Sequence, residues 1–478
     1  MSSPTWLDTK TLLVVSQSFW GITPIGLFYG WAALSGPIAE VFNPANPQSF
    51  SGQHGLFVGV LVLFMSACPL LSLLHVAITR QLITEFQTHA LGLILVVVGL
   101  CLGCIACETK QLWLWYIGCG LICGFGQLTI FRRVLFQHQM YFNSIDKARL
   151  GGGIFGFIIG AWTVIFFLVG ESMLEHLSVG KILAVYAGVL VPTVLYPLLT
   201  IDDSITAYVA AAAATPAATV TLKSQLIDAE GDSMKKIEEL QQVEMNTVLE
   251  IAVCDPLPPP LADEEELTLT QLLCIKEAWM VTLFFTTVLT PGWGIKLASI
   301  YIIRTFFGSS VAYADAATLA YMTSYAFGRL FAGMIAERIG VRNTYNIFIG
   351  IMTALLFSLP TVSQNPENLT VFVVLLCLVG LLYGGAKALF YSFIFDIFGD
   401  LNYRAAFSFA HNGFGVAVVI GGISSAYSFS SSASVATGHW WFYAMGVLGL
   451  VALVMLFCTR PITTTRPRKR GAPAESKI

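Results

Sequence analysis

The sequence predicts an all-α membrane protein whose twelve transmembrane helices form two similar six-helix bundles. Charged residues make up only 11% of the 478 residues, against about 25% in soluble proteins, and 56% of the residues are hydrophobic. The apolar residues are gathered into runs of about 20 or more, the length that a helix needs to cross the hydrocarbon core. Equivalent features also recur six runs apart, which predicts a pseudo-symmetric pair of bundles.

Twelve apolar runs define the predicted spans. The first six lie near 12–41, 54–78, 88–107, 111–137, 150–170 and 180–200, and the second six near 274–306, 312–335, 343–361, 369–396, 404–427 and 438–459. We therefore expect an N-terminal bundle over 1–200, a cytoplasmic linker over 201–270, a C-terminal bundle over 271–460 and a basic cytoplasmic tail over 461–478.

The linker is polar. It contains the charged run 235–250 and the triplet Pro258-Pro259-Pro260, a composition typical of a solvated connector between two halves. A regulatory docking role is the alternative.

Basic residues in the short connections predict the orientation, because cytoplasmic loops carry an excess of Lys and Arg. They lie after the second, fourth, eighth and tenth spans, at Arg80, Lys147, Arg149, Arg338, Arg342 and Arg404. Both termini are then cytoplasmic, in a multi-pass protein that we expect in the plasma membrane rather than in an organelle. Asn368 begins a glycosylation sequon, Asn368-Leu369-Thr370, on the opposite side.

Small residues form a stripe on the fifth and the eleventh span. Gly152, Gly156 and Gly160 recur at four-residue spacing in the fifth, and Gly413, Ala417 and Gly421 in the eleventh. Such stripes let neighbouring helices approach closely in lipid. Their equivalent positions support two parallel six-helix repeats.

The ionisable residues deep in the spans are cationic. Arg329 and Lys387 lie inside the eighth and tenth spans, His411 inside the eleventh and Lys296 inside the seventh, whereas the acids of the spans lie at their ends. Each deep Lys or Arg costs roughly 2.5–3.5 kcal/mol on insertion scales, so a compensating anion is expected. Arg binds a carboxylate with two parallel hydrogen bonds, which predicts a small organic anion as substrate.

Each of these residues has another interpretation. Arg329 could brace the gate through Glu337 or a backbone carbonyl, and Lys387 could bind a carbonyl or extend to the interface. His411 could be a packing residue, and Lys296 could reach the outer interface.

The segment Gly333-Met334-Ile335-Ala336-Glu337-Arg338-Ile339-Gly340-Val341-Arg342 resembles the G-x-x-x-D-R-x-G-x-R loop motif of the major facilitator superfamily, with Glu in place of Asp. The resemblance implies a cytoplasmic gate formed by Gly333, Glu337, Arg338, Gly340 and Arg342. The counterpart after the second span keeps only Arg80.

Four further segments are similar to the oxalate/formate antiporter and monocarboxylate transporter groups: 29–37, 141–149, Gly384-Gly385 and 398–403. The resemblance implies that Arg329 binds the substrate carboxylate. The second cation of the antiporters falls near His411 or Asn412 and is absent here, which favours a monoanion or a site completed by Lys387. Tyr29, Tyr325 and Tyr383 are candidate cavity aromatics, with packing as the alternative.

The sequence therefore predicts an alternating-access carrier of monocarboxylates such as lactate, pyruvate or formate, with a monomeric functional unit in the bilayer. Carriage of another solute such as an amino acid, or a non-transporting membrane sensor, remains open. No H-E-x-x-H or G-x-S-x-G motif indicates an enzyme, and no basic stripe indicates a nucleic-acid partner. Cys101, Cys104 and Cys107 are expected to act as small hydrophobes, so no metal and no cofactor is predicted.

Overall fold

In the computed structural model, the described residues are 9–30, 34–42, 72–74, 77–78, 82–200, 267–429 and 434–459. Their regular structure is entirely helical. The N-terminal half comprises α1 (Thr9–Gly21), α2 (Thr23–Gly30), α3 (Ser35–Phe42), α4 (Glu85–Thr109), α5 (Leu112–Ser144, including a π-helical turn at Tyr116–Ile122), α6 (Ala148–Leu174) and α7 (Val179–Thr200).

The C-terminal half begins with a short helix and continues with long ones. It comprises α8 (Leu269–Cys274), α9 (Lys276–Phe307), α10 (Val311–Ile339), α11 (Val341–Val362), α12 (Pro366–Gly399, opening with a 3-10 turn), α13 (Asn402–Ser428) and α14 (Val435–Cys458).

Within the described residues, nine spans are long and apolar enough to cross a bilayer. The 29-residue α10, which carries Arg329, is not among these nine, although its length lies between those of α9, with 32 residues, and α11, with 22 residues. Most of the second predicted span, the linker up to residue 266 and the basic tail lie outside the described residues.

The first predicted span is not one continuous helix. It is interrupted at Ile22, between α1 and α2, and Pro24 stands in the first turn of α2. Proline has no N–H to donate, so it is tolerated at the start of a helix and interrupts one elsewhere. The hydroxyl of Thr23 donates to the carbonyl of Trp20 at 2.6 Å and bridges this interruption.

The predicted boundary between the tenth and eleventh spans is confirmed at Gly399. This residue has φ 71° and separates α12 from α13. Glycine adopts positive φ without a Cβ penalty, so the chain can turn here without a long loop. The amide oxygen of Asn402 accepts a bond from the N–H of Leu267 at 2.9 Å, which joins the residues before α8 to the start of α13.

The small-residue stripe of α6 faces the C-terminal half. A Cβ on Gly160 would lie 2.6 Å from the Cα of Ala326 on α10, and one on Gly156 would lie 3.1 Å from the side chains of Arg329 and Ala388. The stripe on α13 packs differently, against α9 of its own half, where a Cβ on Gly421 would lie 2.7 Å from the carbonyl oxygen of Thr290. Close helix approach is thus present at both stripes, but only the first joins the halves.

Candidate functional site

Three cationic side chains of the C-terminal half are buried around two aromatic rings. The Nζ atom of Lys296 lies 5.1 Å from the ring centres of both Trp293 and Tyr325. The Nζ atom of Lys387 lies 5.1 Å from the Trp293 ring, and the guanidinium carbon of Arg329 lies 4.3 Å from the Tyr325 ring. Each cation is at most 4% exposed. Because the two ammonium groups share the Trp293 ring, they can be no farther apart than twice 5.1 Å.

Helical spacing explains how the cations meet these rings. Trp293 and Lys296 are three residues apart on α9, and Tyr325 and Arg329 are four apart on α10, so each pair shares one helix face. Pro291 interrupts the hydrogen bonding of α9 just before Trp293. We call the five residues Trp293, Lys296, Tyr325, Arg329 and Lys387 the cation cluster.

Further aromatic rings enclose the cation cluster. Tyr383 stacks on Tyr325 with ring centres 5.3 Å apart. The Phe414 ring lies 4.2 Å from the Nζ atom of Lys387 and 5.6 Å from the Trp293 ring. Cation–π attraction favours the packing of Lys and Arg side chains against the faces of such rings.

Arg329 joins the two halves of the chain. Its Nη1 donates to the carbonyl oxygen of Gly156 on α6 at 2.8 Å, and its Nη2 donates to the hydroxyl of Tyr325. The structure therefore contains a hydrogen bond from Arg329 to a backbone carbonyl. This is one of the two contacts by which Arg329 could brace the gate. The carboxylate of Glu337 instead contacts the start of α6.

The other predicted binding residues are less closely associated with the cations. His411 is buried 5.0 Å from the Phe414 ring and 5.7 Å from Phe131 of the N-terminal half, measured between ring centres. Its two ring nitrogens have no hydrogen-bond partner among the described residues. Asn412 donates to the carbonyl of Phe409 in its own helix at 2.8 Å. The side chain of Tyr29 lies outside the described residues.

The predicted gate motif contacts the N-terminal half through two of its five residues. Gly333 packs on Gly153, and the carboxylate of Glu337 accepts a bond from the N–H of Leu150 at 2.9 Å and lies 4.0 Å from Lys147. Leu150 is in the first turn of α6, where backbone N–H groups lack helical partners. Glu337 therefore caps a helix of the opposite half. We call the end of the protein where Glu337 meets Leu150 the gate end.

The remaining motif residues stay in their own half. Arg342 donates to the carbonyl oxygens of Leu456, at 2.6 Å, and Thr459 at the end of α14, which suits a cation at a helix C-terminus. Gly340 has φ 84° and forms the turn between α10 and α11, and Arg338 is exposed.

Sequence reasoning missed a buried charge pair in the N-terminal half. Arg132 is 1% exposed, and its Nη1 lies 3.3 Å from the carboxylate of Glu85. Arg133 donates to the carbonyl of Glu85 at 3.2 Å. The signal was readable, because two adjacent arginines stand inside the apolar run 111–137. Lys296 is also buried in the cation cluster, so the expectation that it could reach the outer interface was wrong.

The predicted glycosylation sequon lies in the first residues of α12. Asn368 ends a 3-10 turn, Pro366–Asn368, and its amide donates to the carbonyl of Val362 at 3.4 Å. Its glycosylation stays a prediction. Within the described ranges, no group of three or more His, Cys, Asp or Glu side chains could hold a metal ion.

Residues 279–477 match the family model of the Major Facilitator Superfamily. The chain has the major facilitator fold. The human organic anion transporter MFSD10 (TETRAN) is similar with a TM-score of 0.62 and 12% identity, covering 94% of this chain and 100% of that one. FucP, in its outward conformation, gives a TM-score of 0.52 at 14% identity, covering 92% and 98%.

A variant of the E. coli fucose:proton symporter FucP gives a TM-score of 0.51 at 15% identity, covering 92% of this chain and 98% of that one. No curated protein matches the chain. The matched model and the shared major facilitator fold are those of membrane carriers and not of enzymes. The predicted twelve-helix fold class is thereby confirmed, whereas the oxalate/formate and monocarboxylate resemblance stays a prediction.

Proposed function

We propose that this protein carries small organic anions across a membrane by alternating access, with monocarboxylates such as lactate, pyruvate or formate as favoured cargo. The observation that supports this most strongly is the cation cluster, in which Lys296, Arg329 and Lys387 surround the rings of Trp293 and Tyr325. A buried group of three cations attracts an anion far more strongly than a neutral solute, because two unit charges 4 Å apart interact by about 4 kcal/mol at an effective dielectric constant of 20.

Arg329 is the proposed carboxylate ligand. Its planar guanidinium can form two parallel hydrogen bonds to a carboxylate, whereas a lysine ammonium acts as a point charge. Its present partners are the carbonyl of Gly156 and the hydroxyl of Tyr325. A carboxylate oxygen that replaces the Gly156 carbonyl would break a bond between the halves. Substrate binding and the separation of the halves would then be coupled through one side chain.

The gate contacts support alternating access. Glu337 and Gly333 hold the halves together at the gate end through Leu150 and Gly153. We propose that these contacts close the cytoplasmic side and break when the carrier opens there. Arg342 would stabilise α11 against α14 within one half, and Gly340 would provide the turn between α10 and α11.

The proposed binding site is lined further by five residues: His411, Asn412, Tyr29, Tyr325 and Tyr383. Exchange and facilitated diffusion need no buried acid. Proton symport would have to use His411 or an Arg or Lys coupled to the substrate. The proposed carrier consists of an N-terminal bundle over 1–200 and a C-terminal bundle over 271–460. Its linker, its basic tail and both termini face the cytoplasm. It acts as a monomer in the plasma membrane.

Three other functions compete with the anion carrier. A fucose:proton symporter shares the fold, so a neutral solute is one alternative, and a zwitterionic amino acid is another. An organic anion transporter shares the fold with a higher TM-score, which supports an anion. A non-transporting sensor is the third. The cation cluster favours the anion over the sugar, because a neutral sugar would leave its charge uncompensated.

Counterflow in proteoliposomes tests the proposal. Vesicles loaded with unlabelled lactate, pyruvate, formate, succinate, fucose or an amino acid are diluted into the corresponding labelled solute. We expect saturable counterflow of monocarboxylates and none of fucose. Counterflow of neutral or zwitterionic solutes alone would contradict the anion proposal, and no counterflow of any solute would favour the sensor.

A further inference from the structure

His138 of α5 is a buried histidine whose two ring nitrogens contact polar atoms of two neighbouring helices. Its Nε2 lies 3.0 Å from the carbonyl oxygen of Gly151 in the first turn of α6. Its Nδ1 lies 2.7 Å from the hydroxyl oxygen of Ser18 on α1. The side chain is fully buried. One imidazole therefore joins three helices of the N-terminal half.

The partners of His138 determine which of its nitrogens donates. A carbonyl oxygen can only accept, so Nε2 carries a hydrogen and donates it to Gly151. In a neutral imidazole, Nδ1 then accepts the hydrogen of the Ser18 hydroxyl. That hydroxyl also lies 2.8 Å from the carbonyl oxygen of Val14 and has only one hydrogen to donate. The bond from His138 to Gly151 is thus the one that does not depend on the orientation of Ser18.

Two aromatic rings hold the imidazole in this orientation. Phe142, one turn later on α5, stacks on it with ring centres 4.6 Å apart and ring planes at 25°. The ring centre of Phe155 on α6 lies 5.2 Å away. The first turn of α6 packs on the same group, since a Cβ on Gly151 would lie 2.5 Å from the Phe142 side chain. The imidazole therefore cannot turn away from Gly151 unless these neighbours move.

The turn that His138 contacts is also the turn that the opposite half caps. Lys147, the N-cap residue of α6, has an ammonium group that cannot accept a hydrogen bond, so it does not cap the helix. The N–H of Leu150 donates instead to the carboxylate of Glu337 on α10. Leu150 and Gly151 are adjacent residues. The bond from His138 and the bond to Glu337 therefore act on one turn from opposite halves.

We propose that His138 is a positioning residue of the gate, which fixes the first turn of α6 so that the N–H of Leu150 points at Glu337. This inference rests on the alternating access of the proposed function. A shift of Gly151 also moves Leu150, and a hydrogen bond weakens steeply as its angle departs from linearity. Loss of the His138 bond thus weakens the Glu337 cap without changing either partner of the cap.

The distance between the halves at the gate end tests the proposal. Spin labels are introduced as non-canonical amino acids at Ser144 and Asn343, two exposed residues on opposite halves, so the native cysteines of the full chain remain. His138→Phe keeps an aromatic ring but removes both hydrogen bonds, whereas His138→Gln keeps an amide donor within reach of Gly151. In lipid nanodiscs, we expect a severalfold larger open fraction in His138→Phe and a fraction near that of the wild type in His138→Gln.

Tyr141→Phe is the matched control. The hydroxyl of Tyr141 lies 2.7 Å from that of Thr11, so this buried bond also joins α5 to α1 but does not involve α6. We expect Tyr141→Phe to have the open fraction of the wild type. Equal opening in Tyr141→Phe and His138→Phe would overturn the proposal, because any lost contact between α1 and α5 would then have the same effect.

A double substitution separates positioning of the cap from a general loosening of the N-terminal half. Once Glu337→Ala has removed the carboxylate, His138→Phe is expected to add no further opening, because residues of one hydrogen-bond network have non-additive effects. The same increase in both backgrounds would overturn the proposal. If His138→Phe does not fold, His138→Asn, whose shorter amide does not reach Gly151, takes its place with the same expected outcomes.

The same measurement distinguishes failure of this inference from failure of the gate. Opening in Glu337→Ala but not in His138→Phe would overturn the role of His138 alone. An unchanged open fraction in Glu337→Ala would contradict the proposed gate, and the role of His138 with it.

Discussion

Gly153 of α6 and Gly333 of α10 lie so close together that a Cβ on Gly333 would be 2.8 Å from the Cα of Gly153. The two backbones belong to opposite halves of the chain, and the contact lies near the gate end. A methyl group on Gly333 has no room unless the helices move apart, because the nearest atoms, the Cα of Gly153 and the carbonyl oxygen of Arg149, belong to the backbone.

Gly333→Ala is therefore expected to shift the gate end towards its open state. Overpacking of a tight contact costs about 1–3 kcal/mol, which changes the equilibrium constant of a two-state gate by about 5-fold to 150-fold. The measurement is the distance distribution between spin labels at Ser144 and Asn343, two exposed residues at this end on opposite halves. We expect a larger long-distance fraction.

Gly350→Ala is the matched control for that experiment. Gly350 is also helical, but a Cβ there would meet nothing within 4 Å. Its substitution should leave the distance distribution unchanged. If Gly333→Ala behaves like Gly350→Ala, the glycine contact does not hold the gate.

Glu337 is expected to act more through its hydrogen bond than through its charge. The carboxylate caps α6 through the N–H of Leu150, whereas its pair with Lys147 is 4.0 Å long and partly exposed. Loss of a cap costs about 0.5–2 kcal/mol, and an exposed ion pair contributes about 0–1 kcal/mol. Glu337→Ala should open the gate end more than Glu337→Gln, in the same spin-label measurement. Equal effects would instead assign the role to the charge.

Glu85 is expected to support the stability of the N-terminal half. It lies beside the buried guanidinium of Arg132 and accepts a bond from Arg133 through its carbonyl. Glu85→Ala removes the carboxylate but leaves the carbonyl, so we expect a loss of about 1–3 kcal/mol, seen as a lower apparent Tm in detergent. Glu175→Ala, at an exposed position beyond the end of α6, should leave Tm unchanged. An unchanged Tm in Glu85→Ala would show that Arg132 does not depend on this carboxylate.

Lys296 is expected to contribute to anion affinity. It shares the Tyr325 ring with Arg329 and the Trp293 ring with Lys387. Lys296→Gln should raise the KM of monocarboxylate counterflow at least about tenfold, which corresponds to 1.4 kcal/mol. Lys276→Gln, an exposed position at the start of the same helix, is the control. A KM that is the same in both variants would remove Lys296 from the proposed site.

Much of the fold was predictable because lipid imposes a strong pattern. Apolar runs, the turn at Gly399 and the stripe on α6 were all readable, since each follows from a local rule on length, backbone freedom or side-chain size. The break at Pro24 was missed because apolar residues continue across it.

The candidate site was only partly predictable. Arg329, Lys387 and Lys296 were predicted as deep residues, and Tyr325 and Tyr383 as cavity aromatics. No local pattern placed Lys296 against Tyr325, because that contact depends on how α9 packs on α10. The partner of Arg329 was equally hidden, since Gly156 lies 173 residues away in the sequence. Depth can be predicted from one helix, whereas contacts between helices cannot.

Counterflow of labelled lactate by Arg329→Gln, Arg329→Lys and Arg304→Gln tests the central claim most directly. Arg304 is an exposed arginine near the end of α9, outside the cation cluster. We expect saturable uptake in the wild type and in Arg304→Gln, uptake with a raised KM in Arg329→Lys, which keeps the charge, and loss of uptake in Arg329→Gln. Lactate uptake with an unchanged KM in Arg329→Gln would contradict the account, because the carboxylate would then not bind at Arg329.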